Sequence, residues 1–135
     1  KIKAHAAHLE LPNPIVRIRE RYNAAFNVVY AMASVVAYPS RYECASMPIM
    51  RCLSCGTPVV AATGSCMEEY GGDAALYFNP DSADELADAI SRAMGSEREA
   101  LLAAAKVQNE KFTSLRLATQ YRELYHELRS NKKHQ

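Results

Sequence analysis

YPSRYECASMPIMRCLSCGTPVV, residues Tyr38 to Val60, reads in order as the end of a strand, a loop, a helix, a Cys-Gly-Thr-Pro turn and a second strand. Ser34 to Tyr38 (SVVAY) is a continuous apolar run closed by Pro39, the pattern of a strand buried on both faces of a parallel sheet. Pro48 suits the first turn of the helix, where a missing N–H removes no hydrogen bond. The helix ends near Gly56, and Pro58 to Ala62 makes the next strand. Glu43 and Arg51 lie on this segment with seven residues between them.

Working outward, the same alternation continues. Ile15 to Ile18 (IVRI), after Pro12 and Pro14, reads as a strand. Ala25, Phe26, Val29, Tyr30 and Ala33 recur at helical spacing. A short helix is expected over Ser65 to Tyr70, broken at Gly71-Gly72, and Ala75 to Phe78 (ALYF) is a further strand. Ser82 with Glu85 has the form of a capping box, with Ala83, Leu86, Ala87, Ile90 and Met94 lining one face behind it and Gly95 as the stop. Ser96 with Glu99 opens another helix in the same way. A last helix carries Leu117, Tyr121, Leu124, Tyr125 and Leu128 on one side. Strands alternating with helices predict an α/β fold, a Rossmann-like parallel sheet of about four strands with helices on both faces. No repeat or linker divides the chain, so residues 1–130 are expected to form one domain and 131–135 a polar tail.

Composition narrows the function classes. A chain of 135 residues can bury roughly 65–70% of its unfolded surface. A formal net charge of +1 provides no field to gather nucleic acid or an anionic membrane. No apolar run approaches the ~18 residues of a membrane span, and no signal peptide opens the sequence, which points to the cytoplasm. The chain starts at Lys1 with a helix-like run, Ile2 to Leu11, as a processed or excised piece would. Cys52 and Cys55 have C-x-x-C spacing, yet a zinc site needs two more converging ligands, so Cys44, Cys52, Cys55 and Cys66 read as reduced thiols. His5 and His8 share one helix face and read as a solvated pair; His126 has no visible partner.

The Tyr38–Val60 segment resembles the donor-binding segment of retaining GT-B glycosyltransferases, roughly YPS-x-x-EGFG-x-P-x-x-EAMACGTPVV. IVRI, YAMASVVAYPS and GDAALYFNPDSADELADAI resemble consecutive parts of that family's C-terminal Rossmann-like domain, so the likeness runs from about Leu9 onward. By that alignment the domain's first two strands and the whole N-terminal domain are absent. With sheet order 3-2-1-4-5-6 in the family, this chain would hold strands 3 to 6. Its first strand would then either pair directly beside Val35 to Tyr38 or leave an edge for another chain, and such an edge favours a homo-oligomer.

The resemblance also assigns site residues, with no metal and no cofactor. Glu43 matches the family's first glutamate, which would accept from donor-sugar hydroxyls and steady charge building at the anomeric carbon. Without the resemblance it is a surface glutamate capping a loop. Cys44, Ala45 and Ser46 stand where the family has Gly-Phe-Gly, ahead of the helix N-terminus at Met47, whose amides would face the donor's diphosphate. Arg51 stands where the family has the second glutamate of its E-x7-E pair, which accepts from both ribose hydroxyls. A guanidinium has only donors, so Arg51 either meets a phosphate or is a solvated side chain. Arg17, Arg19 and Arg21 read as a solvated face, and Glu69 as a residue ordering its loop.

Two functions follow from the resemblance. One is the nucleotide-sugar-binding half of a glycosyltransferase transferring a hexose, inactive alone, with a nucleotide-diphosphate sugar as ligand and the missing N-terminal domain or a second copy as partner. The other is a degenerate scaffold or self-associating module derived from it. A cysteine-based metal or redox protein is a distant third. Another kind of nucleotide binder is disfavoured, since no G-x-G-x-x-G or Walker loop is present.

Overall fold

The computed structural model describes Val16 and residues 23–131, and its centre is β2 (Val59–Ala62), the middle strand of a three-stranded sheet. β1 (Val36–Tyr38) and β3 (Ala75–Phe78) flank it, both parallel, with Val36 and Ala75 each in register with Val59. Every residue of β2 is buried, and the alternation of the strand sends its side chains into two different cores. Val59 and Ala61 meet Ile49, Cys52 and Leu53 of α2 (Met47–Cys55), Met67 of α3 (Met67–Gly71) and Ala105 of α5 (Arg98–Glu110). Val60 and Ala62 meet Phe78, Ala89 and Ala93 of α4 (Ala83–Met94), and Leu101 of α5. Each buried valine contributes about 1.5–3 kcal/mol relative to an exposed one. The predicted α/β class is what forms: a parallel sheet with helices on both faces.

Local signals place the ends of these elements. α1 (Asn23–Met32) runs into β1, and the Thr57 hydroxyl donates to the Tyr30 carbonyl at 2.7 Å, satisfying an acceptor at the end of α1. α2 has Pro48 in its first turn and closes on Gly56, which is left-handed (φ 68°, ψ 37°). The Gly56 and Thr57 amides then donate to the Leu53 and Cys52 carbonyls at 3.3 and 2.9 Å. Between α3 and β3 a 3-10 turn, Gly72–Ala74, starts from Gly72 at φ 51° and ψ −135°. The buried Gln108 of α5 locks this corner by donating to the Glu69 and Tyr70 carbonyls at 2.9 and 3.1 Å.

Several expectations are corrected. Three strands lie among the described residues rather than four; of the Ile15–Ile18 run only Val16 is described, exposed and in no strand. The helix expected from Ser65 begins at Met67, because Gly64 and Ser65 are both left-handed (φ 94° and 61°). Half of the capping box forms: Ser82 Oγ accepts from the Glu85 amide, but the Glu85 carboxylate accepts from Asn79 N. On α4 Leu86 and Ile90 pack against the core as expected, but the fully buried positions are Ala89 and Ala93, and Ala83, Ala87 and Met94 are exposed. Ser96 caps nothing, since α5 starts at Arg98 with Glu97 ahead of it. The helix-like run Ile2–Leu11, the histidines His5 and His8, the arginines Arg17, Arg19 and Arg21, and residues 132–135 of the tail lie outside the described residues.

The last helix, α6 (Ser114–Asn131), has no buried residue along residues 114–130. Leu117, Tyr121, Leu124, Tyr125 and Leu128 share one side as expected, and all five are exposed. Among the described residues no helix is long and apolar enough to cross a membrane.

Gly56→Ala meets open space, so its cost is the left-handed backbone alone, about 1–2 kcal/mol. Gly72→Ala costs more, because its Cβ would also lie 2.8 Å from Gln108 Oε1. Urea unfolding of the two variants should reproduce that order.

Candidate functional site at the carboxyl ends of the strands

Ligands of open α/β sheets bind where loops leave the carboxyl ends of the strands. Here three such loops meet. β1 ends at Tyr38, Pro39 stops it, and residues 39–46 lead to α2. The loop after β2 carries Gly64 and Ser65; the loop after β3 carries Asn79, Pro80 and Asp81. Arg41 of the first loop pairs with Asp81 of the third at 2.5 Å, both side chains exposed. Glu43 is joined to Ser65 of the second. Its amide donates to Ser65 Oγ at 3.0 Å, and that hydroxyl donates back to the Glu43 carbonyl at 2.5 Å. Gly64 N–H is held in turn by the Glu68 carboxylate at 2.8 Å.

The Glu43 side chain is as defined as its backbone. Oε1 accepts from the Tyr38 hydroxyl at 2.6 Å and from Ser40 Oγ at 2.7 Å. Tyr38 first and Ser40 second hold this carboxyl below its ordinary 4.5, against an opposing effect of burial. Tyr38 moves the other way, to about 12, through burial first and then through its hydrogen bond to Glu43. At neutral pH the pair is therefore a protonated phenol and an ionised carboxylate, and Glu43 is an acceptor.

The remaining sequence-predicted site residues surround α2. Cys44 and Ala45 are exposed, and Ser46 is fully buried just ahead of the helix. Ser46 Oγ caps nothing and is an unpartnered buried hydroxyl. At the helix N-terminus, the Met47 amide is taken by the Ala45 carbonyl at 3.1 Å, and Pro48 has none to offer. Two of the amides expected to face a diphosphate are thus not available. Arg51, half-buried one turn on, lines a groove of about 540 Å³ with Asn27, Met47, Met50, Ser54, Cys55, Asn109 and Phe112. Ser54 and Asn109 hydrogen-bond across it at 2.9 Å. Arg51 has no ion-pair partner among the described residues. The structure thus brings Glu43 together with Tyr38, Ser40 and Ser65, and sets Arg51 in a separate groove that Met47 also borders.

Ser65 and Tyr38 were legible only as a helix start and a strand end. The signal for Ser65 is Gly64 before it, since a glycine after a parallel strand marks a loop that turns at positive φ. Glu68 rather than Glu69 orders that loop; Glu69 contributes its backbone carbonyl to Gln108. The four cysteines are free thiols, and burial, then the neighbouring Cys55, pushes Cys52 up to about 12. Among the described residues no group of three His, Cys, Asp or Glu could hold a metal ion.

This arrangement belongs to a known class. The chain superposes over 96% of its length on sucrose-phosphate synthase from Thermosynechococcus elongatus, with a TM-score of 0.75 and 25% identity, covering 34% of that protein. The fold is that of a GT-B glycosyltransferase domain fragment. Residues 1–96 match the model of the glycosyl transferases group 1 family, and the chain belongs to that family. It is 33% identical over 94 residues to O-antigen chain mannosyltransferase B of Escherichia coli, covering 68% of this chain and 25% of that one. It is 35% identical over 72 residues to MMP alpha-(1->4)-mannosyltransferase of Mycolicibacterium hassiacum, covering 51% of this chain and 18% of the relative. The matches therefore span about a quarter or less of these two relatives.

Because the folded Glu43 carboxyl lies below its ordinary 4.5, the stability of its contacts is complete above that pH and lost as pH falls through the folded value. The melting-temperature difference between the wild type and Tyr38→Phe should be constant near neutrality and shrink below about pH 4.5.

Proposed function

We propose that this chain is the donor-binding half of a glycosyltransferase cleft, taking a nucleoside-diphosphate hexose and not turning over by itself. The observation that carries this reading is the Glu43 carboxylate, ionised and hydrogen-bonded in place where three loops converge ahead of α2. Its charge suits a sugar ring that becomes positive at the anomeric carbon as the leaving diphosphate departs, and its oxygens suit the ring's hydroxyls. Mannose is the hexose supported best, since both similar enzymes are named mannosyltransferases.

Donor affinity in this chain is low. Arg51 offers no acceptor to ribose hydroxyls, and each charge-assisted bond forgone costs on the order of 1.5–3 kcal/mol. Amide NMR titration with guanosine and uridine diphosphate-mannose should give saturable shifts over residues 43–51 with a dissociation constant weaker than about 10 μM. Glu43→Ala should abolish the sugar-dependent part. Arg51→Glu should tighten binding by roughly tenfold or more, the equivalent of one such bond. Silence in the wild type and in Arg51→Glu alike would refute donor binding.

A second reading, a scaffold that self-associates, is favoured by the exposed seam of Leu117, Tyr121, Leu124 and Leu128 on α6, whose 4-3-4 spacing suits a partner helix. Under it, light scattering should show a dimer that Leu124→Glu returns to monomer. A monomer at high concentration would remove this reading.

A further inference from the structure

We propose that Tyr38 and Ser40 are positioning residues: their two hydroxyls occupy Oε1 of Glu43, so that Oε2 alone is presented to a hydroxyl of the donor sugar. This rests on the reading of Glu43 as a donor-site residue and adds which atom makes the contact and what aims it.

A carboxylate has about four lone-pair directions over its two oxygens. The donors at 2.6 and 2.7 Å both go to Oε1, and Oε2 has no hydrogen-bond partner among the described residues. Ser40 has one hydroxyl hydrogen. The Tyr42 carbonyl lies 3.4 Å away against 2.7 Å for Glu43, so the carboxylate takes it. The anchors are themselves anchored. Tyr38 is the last residue of β1, paired in register with Ala61, and its ring packs on the core beneath α2. Ser40 follows Pro39, whose ring fixes φ. Ser65, held at φ 61°, clamps the Glu43 backbone from both its amide and its carbonyl.

An unrestrained surface glutamate would have to be ordered when the sugar binds. Here that ordering is complete in the free protein, which is how preorganisation raises affinity and directs it. The device is also selective. Two O–H donors leave the carboxylate ionised, so Oε2 can accept from a sugar hydroxyl but cannot give it a proton.

The test uses the whole chain with 13C-labelled glutamate and three proteins: wild type, Tyr38→Phe and Ser40→Ala. Tyr38→Phe keeps the packed ring, and Ser40 lies in a loop, so both variants are expected to fold. The carboxyl carbon of Glu43 is followed against pH, and dissociation constants are measured for guanosine diphosphate and guanosine diphosphate-mannose. The expected result is a Glu43 titration midpoint that rises in each variant toward the ordinary 4.5. Affinity for the mannose form should fall by roughly fivefold to tenfold, one hydrogen bond's worth, with affinity for the bare diphosphate unchanged. A general loosening of the fold would weaken both ligands together and overturns the proposal. So does an unmoved Glu43 midpoint. If neither the wild type nor Arg51→Glu distinguishes the mannose form from the diphosphate, the donor-site reading fails and the proposal with it, even where a moved midpoint shows the tether itself to exist.

Discussion

Burial of β2 on both faces is the constraint from which the rest of the structure follows. A strand with β1 and β3 on its two edges and helices above and below cannot place a polar side chain anywhere, and Val59-Val60-Ala61-Ala62 has none. The small side chains of Ala61 and Ala62 let helices approach closely, and Ala89, Ala93 and Ala105 meet the sheet with equally small surfaces. Because the strands are parallel, each returns through a crossover and all three carboxyl ends point the same way. The loops after β1, β2 and β3 are thereby brought to one rim, and the contacts of Glu43 with Ser65 and of Arg41 with Asp81 become possible.

On that rim the polar groups have unequal standing. Arg41 and Asp81 are exposed, and water screens such a pair so that it contributes little to stability. Its value lies in tying the first and third loops together. The Tyr38–Glu43–Ser40 cluster is different, because Tyr38 belongs to the sheet and carries its rigidity into the loop. The Glu43 carboxylate is thus positioned by the core, through Tyr38, as well as by Ser40 of the loop that bears it.

The departures from the family pattern act on different parts of this arrangement. Cys44, Ala45 and Ser46 alter the approach to α2, where Pro48 and the Ala45–Met47 contact leave few amides to face an anion. Arg51 brings a side chain that can only donate to the neighbouring groove. Neither touches the contacts that hold Glu43. The ordering of the Glu43 carboxylate is therefore independent of the residues that precede and line α2.

The sequence alone determined what depends on neighbours along the chain. The apolar runs at Val59–Ala62 and Ala75–Phe78, Pro48 in the first turn of α2, the left-handed stop at Gly56 and the Ser82 cap are local in cause, and each was legible. So was the family, through the Tyr38–Val60 segment. What failed was local in appearance but decided elsewhere. Ser65 reads as a helix start, yet a turn at positive φ delivers its hydroxyl to Glu43, 22 residues earlier. Ala89 and Ala93, not Met94, are buried with Phe78, because contact with the sheet rather than helical spacing alone selects the buried positions. Only the tertiary structure decided that Glu43 shares its carboxylate with Tyr38 and Ser40 while Arg51 lines another groove. A spacing of seven residues fixes position along a loop and a helix, but the direction of each side chain depends on the packing around it.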